Sequence, residues 1–145
     1  MKRYVVEKDF EYKGFQCSVS LQSLGHRCGY VNLESNEKSK FFGIDYDNIP
    51  IDVHGCLTYS DCKLVDHEEG YWIGWDYAHY MDGKDYEALV KNFSDDEEQR
   101  KQIALLKSLD ERFDTSYRHI YSLDEVVDDC KSVVDQIIKL ESEDK

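Results

Sequence analysis

The chain opens on a strict alternation of apolar and polar positions. In "RYVVEKDFEYKGFQCSVSLQ" the second arm sets Phe15, Cys17, Val19 and Leu21 against Gln16, Ser18, Ser20 and Gln22. That is the period of a strand with one dry face and one wet face. Tyr12-Lys13-Gly14 separates the two arms, so an antiparallel hairpin is expected. A short strand follows over Gly29 to Leu33. "ESNEKSK" at 34–40 is polar and reads as an exposed loop, and "FFGIDYDNIP" carries turn chemistry in Asp45, Asp47, Asn48 and Pro50. "IDVHGCLTYS" at 51–60 and "YWIGWDYAHY" at 71–80 are rich in β-branched and aromatic residues. They predict two neighbouring central strands, joined by the polar stretch from Asp61 to Gly70.

Past residue 93 the apolar period lengthens to that of a helix. "SDDE" at 94–97 resembles a capping box, with Ser94 as cap and Glu97 reaching back. The helix it starts has acids in its first turn, as the helix dipole favours. Its apolar face is Ile103, Leu106 and Leu109, continued by Phe113. "SLDE" at 122–125 repeats the device with Ser122 and Glu125. The last helix then carries Val126, Cys130, Val133, Ile137 and Leu140, flanked by Val127, Val134 and Ile138. So broad a stripe is expected to lie across the sheet, a homodimer seam being its alternative use. The pattern predicts an α+β fold, an antiparallel β-sheet with C-terminal α-helices packed on one face. With one proline, no Gly/Ser-rich linker and no repeat, residues 1–145 read as a single domain.

Composition narrows the partners. The formal net charge is -13, which opposes phosphate backbones and anionic membranes and favours basic partners. Five cysteines, an odd number without a CxxC pair, point to reduced thiols. The start "MKRYVVEKDF" has no apolar signal region, and no apolar run reaches membrane-span length. A cytoplasmic protein is expected, with no direct nucleic-acid contact. Phosphate-binding glycine loops and the G-x-S-x-G elbow are absent, so no cofactor and no catalytic residue is assigned.

The two central runs concentrate the candidate chemistry. If both are strands, His54, Cys56, Thr58 and Ser60 share one face and Trp72, Gly74 and Asp76 another, so His54 and Asp76 could meet across the pair. Three chemistries stay open. Asp76 could orient a histidine as a general base, with Cys56 as a neighbouring thiol. His54, Asp76 and His79, with Asp82, form a chemically reasonable metal set, although "DYAH" is no metal signature and no metal is assigned. Tyr30, His54, Thr58, Tyr59, Trp75, Asp76 and His79 could line a ligand pocket, with Trp72 and Tyr77 as further walls and glycines at 29, 55 and 74 admitting close approach. A fully satisfied polar network that locks the sheet is the bland alternative. Acids thicken from Ser94 onward, fifteen Asp/Glu against eight Lys/Arg. Asp95, Asp96, Glu97, Glu98, Asp110 and Glu111 are the candidate partner-binding residues, against the alternative of a solvated helix face.

These same runs carry a resemblance. "CGYV" at 28–31, "GIDYD" at 43–47, "VHGCLTYS" at 53–60 and "YWIGWDYAH" at 71–79 resemble a family of small proteins of unknown function, common in bacteriophages and other bacterial mobile elements. Its members read "CGYV … DYD … VHGGLTYS … WWIGFDCAH.GD" and end in a helix similar to "YSLDEVVDDCKSVVDQI". The resemblance runs from about His26 to Leu140. The family's second glycine is Cys56 here, its phenylalanine Trp75 and its cysteine Tyr77, so one thiol is gained and another lost. Residues 84–118 stand as an added acidic helical segment. The phage setting implies a non-enzymatic anti-defence protein. By analogy, its acidic surface would bind and inhibit a basic bacterial defence protein such as a CRISPR–Cas nuclease. The alternatives are a protein that sequesters a nucleotide signal in the His/Asp/aromatic pocket, or a metal-dependent hydrolase.

Overall fold

The computed structural model describes residues 2–34 and 39–143. Five strands form one antiparallel sheet: β1 (Tyr4–Tyr12), β2 (Phe15–Gln22), β3 (Arg27–Asn32), β4 (Tyr59–Asp61) and β5 (Trp72–Asp76). Their spatial order is β1-β2-β3-β5-β4. Three helices follow, α1 (Tyr86–Phe93), α2 (Glu97–Asp110) and α3 (Leu123–Ser142), so the fold is α+β.

The first hairpin turns through Lys13 and Gly14, both at positive φ (49° and 85°), which suits the twist of the flanking strands. A register shift between Val6 and Lys8 leaves Glu7 bulged out of the β1–β2 ladder. There Arg27 holds it, Nε on Oε1 at 2.6 Å and Nη2 on Oε2 at 3.1 Å. Arg27 Nη1 also donates to Asp85 Oδ2 at 2.7 Å and to the Tyr121 carbonyl at 2.9 Å. One buried guanidinium thus ties β1 and β3 to the start and the end of the α1–α2 segment.

The helical stripe of α3 meets the odd-numbered side of β2 as its spacing predicts. Val126, Cys130, Val133, Val134 and Ile137 share a core with Cys17, Val19, Val31, Ile73, Trp75 and Tyr77. Ser122 and Glu125 complete the expected capping box. The indole of Trp75 fills the space above Gly29, where a Cβ would fall 2.5 Å from Cζ2.

Several expectations are corrected. Residues 53–58 are not strand: Gly55 and Cys56 lie at φ +67° and +66°, a conformation no strand adopts, and only Tyr59–Asp61 joins the sheet, as its edge. His54 and Cys56 therefore share no strand face. The even side of β2 is not wet, since Ser18 and Ser20 are 1% and 4% exposed. The helix expected from Ser94 is two helices. Ser94 closes α1, its hydroxyl donating to the Val90 carbonyl, and Asp96 caps α2 by accepting from Glu98 N. Of the stripe assigned to α2 only Ile103 is buried, while Phe113 is 73% exposed. The loop expected over 34–40 lies partly outside the described residues, and at its end Ser39 is buried against Glu141.

Candidate metal centre

Loop 53–58 and the segment after β5 converge where that strand ends. The turn closed by Cys56 N on the Val53 carbonyl (2.9 Å) presents His54. Its ring lies parallel to Tyr77, centroids 4.9 Å apart at 7°, with Tyr121 at 4.5 Å on it. Those rings fix the imidazole plane and leave Nε2 facing Asp82, 2.9 Å from each carboxylate oxygen. Asp82 is 3% exposed and also accepts the His79 backbone N–H at 3.0 Å.

His79 completes the cluster from the chain reversal after β5. Its Nε2 sits where a Cβ on Gly55 would be, 2.0 Å from that ideal position. Glycine at 55 is thus required both for the backbone and for the approach of this ring. The same nitrogen is 3.2 Å from the Asp76 carbonyl and 3.5 Å from Asp76 Oδ1. Asp76 accepts from Thr58 Oγ1 at 3.2 Å and from Ala78 N at 3.1 Å.

A ligand atom from each of His54, His79 and Asp82 lies within 4.8 Å of the other two. Imidazole nitrogens and a carboxylate oxygen are the donors that zinc, nickel and ferrous iron accept. Bond lengths near 2.0–2.1 Å require donors somewhat closer than this span. The His79 side chain, 40% exposed, has the freedom to close it. The residues present therefore fit a metal ion. A third histidine borders the cluster: His26 Nδ1 is buried with no hydrogen-bond partner among the described residues. Burial holds the His26 ring below its ordinary pKa, against the Tyr77 backbone and the nearby Asp82 and Asp76, which keeps it neutral. Behind the rings, Tyr77 donates to Asp129 Oδ2 at 2.5 Å and accepts from Trp75 Nε1 at 2.9 Å. Burial first, and Asp129 second, push the Tyr77 hydroxyl well up, so it stays a donor.

The residues expected to form one pocket are divided. His54, Thr58, Asp76 and His79 do gather, but the partner of His54 is Asp82, not Asp76. Trp75 is core, not wall. Tyr30 and Tyr59 meet each other edge-on at 5.6 Å on the helix-free face of the sheet. Thiol chemistry at Cys56 loses ground with the strand, since the positive φ at Gly55 and Cys56 leaves Cys56 off any strand face shared with His54. The acids assigned to a partner surface are split too. Asp95 to Glu98 and Asp110 with Glu111 lie at opposite ends of α2, about 20 Å apart for 14 residues. Asp110 is already engaged by Lys84 Nζ at 3.1 Å and by the Tyr86 hydroxyl. Sequence reasoning gave no role to His26, His119 or Tyr121. Asp82 had a signal, since "AHYMD" places it three residues past His79. His119 had none, because it pairs with Asp82 in an isolated parallel bridge across 37 residues of chain. No family model, curated protein or solved structure matches the chain.

Proposed function

We propose that this protein binds a divalent transition-metal ion through one ring nitrogen of each of His54 and His79 and an Asp82 oxygen. The supporting observation is the convergence of those three donors within 4.8 Å on a ring fixed by Tyr77 and Tyr121. Two histidines and one carboxylate would hold the ion, and a zinc ion bound there would supply the activation of a water molecule. With zinc bound, hydrolysis is the reaction class such a centre would serve. In this arrangement Asp82 carries the charge that binds the ion, and Tyr77 and Tyr121 hold the His54 plane. Asp76, held by Thr58 and Ala78, stands beside the His79 ligand as a proton acceptor.

Protein purified without a histidine tag should bind one zinc ion per chain and melt at a higher temperature with zinc, an effect that a chelator reverses. His54→Ala, His79→Ala and Asp82→Asn should each abolish the shift. Gly55→Ala removes no ligand, yet its Cβ displaces His79 and should weaken zinc by about tenfold or more. Unchanged zinc binding in all four variants would exclude the site.

A second reading, inhibition of a basic bacterial defence protein by an acidic surface, is supported by the net charge of -13 and by one groove. A cavity of about 440 Å³ is lined by Asp9, Glu11, Asp66 and Glu68 beside Trp72, and among the described residues its lining has no lysine or arginine. This moves the proposed contact surface from α2 to the β1 side of the sheet. Binding to a candidate nuclease should weaken steeply with salt and with Asp66→Lys; salt-independent binding would argue against it.

A further inference from the structure

The helix-free face of the sheet holds a cavity unrelated to the metal cluster. Strand alternation normally gives such a face polar side chains in water, but here the chain from Cys62 to Gly70 folds back over it. Gly70 N donates to the Cys62 carbonyl at 3.2 Å, and Trp72 Nε1 donates to the Glu68 carbonyl at 2.9 Å. His67 Nε2 reaches Asp9 Oδ1 at 2.9 Å and Ser18 Oγ at 3.1 Å. At the crest Asp66 adopts φ +64°, a strained conformation for a non-glycine residue. This strap does not fill the space beneath it. A cavity of about 220 Å³ remains, lined by Tyr4, Tyr30 and Tyr59, roofed by Leu64, and floored by Ser18 and Ser20.

Its shape and chemistry narrow the occupant. Apolar cavities of about 150 Å³ accept a benzene ring, so this one suits one ring with small substituents. Tyr30 and Tyr59 meet edge-on, presenting aromatic surface to a planar guest. The floor is polar, unlike a packing defect. Ser20 Oγ accepts from Gln22 Nε2 at 3.2 Å and keeps its own proton to offer, and the Ser18 hydroxyl sits beside it. The surroundings repel anions, since Asp66 touches the Tyr4 hydroxyl at 3.4 Å and Asp9 touches His67. We infer that this cavity binds a neutral, single-ring, hydrogen-bonding heterocycle of nucleobase type and rejects its phosphorylated forms.

The test uses the full chain and named probes: uracil, thymine and cytosine, their monophosphates UMP, TMP and CMP, and phenol as a ring without the heterocyclic pattern. Amide and side-chain NMR shifts of Ser18, Ser20, Tyr30 and Tyr59 report binding. At least one free base should bind, with its monophosphate weaker by about tenfold or more. Ser20→Leu, which fills the cavity from its floor, should remove binding, and Tyr59→Ala, which removes a wall without filling anything, should weaken it. Zinc binding should survive in both variants. Three results would overturn the inference: no base shifting these resonances at millimolar concentration, phenol alone binding, or a monophosphate binding as well as its base. If Ser20→Leu fails to fold, undiminished binding by Tyr59→Ala overturns it equally.

Discussion

The two helical regions of the molecule are secured in different ways. Among the described residues, α3 shares a core of nineteen buried residues with the sheet and the loops beside it, whereas α1 and α2 gather four, Leu21, Leu89, Phe93 and Ile103. The first region is stabilised by burial along its whole length. The second is held mainly at its ends: Arg27 grips Asp85 and the Tyr121 carbonyl, Gly83 N donates to the His119 carbonyl at 2.7 Å, and His119 N donates to the Met81 carbonyl at 3.0 Å. The chain leaves the sheet and returns through one short parallel bridge. Asp82 and His79, two of the three proposed ligands, stand at that bridge. A segment with little core of its own can therefore be steadied, or released, by what happens at its base.

The largest expected effect lies in the first region. Trp75→Ala should cost about 3–5 kcal/mol, because the ring is buried and its site over Gly29 cannot collapse. Denaturant unfolding followed by sheet and helix probes should shift as one transition. Phe93→Ala sharpens the contrast. It should expose α1 and α2 to hydrogen exchange while the amides of β2 and β3 keep their protection, as expected of a separable unit. Uniform loss of protection would break the comparison. Cys56→Gly should act in the opposite direction, stabilising by about 0.5–1 kcal/mol, since the left-handed conformation strains cysteine more than the added chain entropy of glycine costs. The smallest effect is acid-dependent. Burial raises the Asp110 carboxyl, but hydrogen bonds from Tyr86 and Lys84 outweigh it and leave the group below its ordinary value. Its contribution is therefore complete above that ordinary value and lost as pH falls through the depressed one. Resonances of α2 should loosen first on acidification, and Asp110→Asn should lack that response.

Most of the sheet and all of α3 were legible because periodicity reports burial directly. The β1–β2 hairpin, the two faces of β5 and the Ser122–Glu125 cap follow from side-chain spacing alone. The failures share a cause. "VHGCLTYS" has strand composition, yet consecutive positive-φ residues at 55 and 56 turn it into the loop that presents His54. α2 has an apolar stripe, yet the fold leaves Leu109 and Phe113 in water, because α1 and Leu21 cover only the part of it around Ile103. The carboxylate partner of His54 was misread as Asp76 because strand alternation cannot register a chain reversal that brings Asp82 back. The strap over Ser18 and Ser20 depends on contacts 49 residues apart, which no local pattern carries.

The most direct measurement is calorimetric titration of zinc into the untagged protein and two variants, Asp82→Asn and Asp76→Asn. The proposed centre requires one site per chain, lost in Asp82→Asn and kept within about tenfold in Asp76→Asn, which removes a neighbour and not a ligand. Equal affinity in all three proteins, or no binding in any, would contradict it.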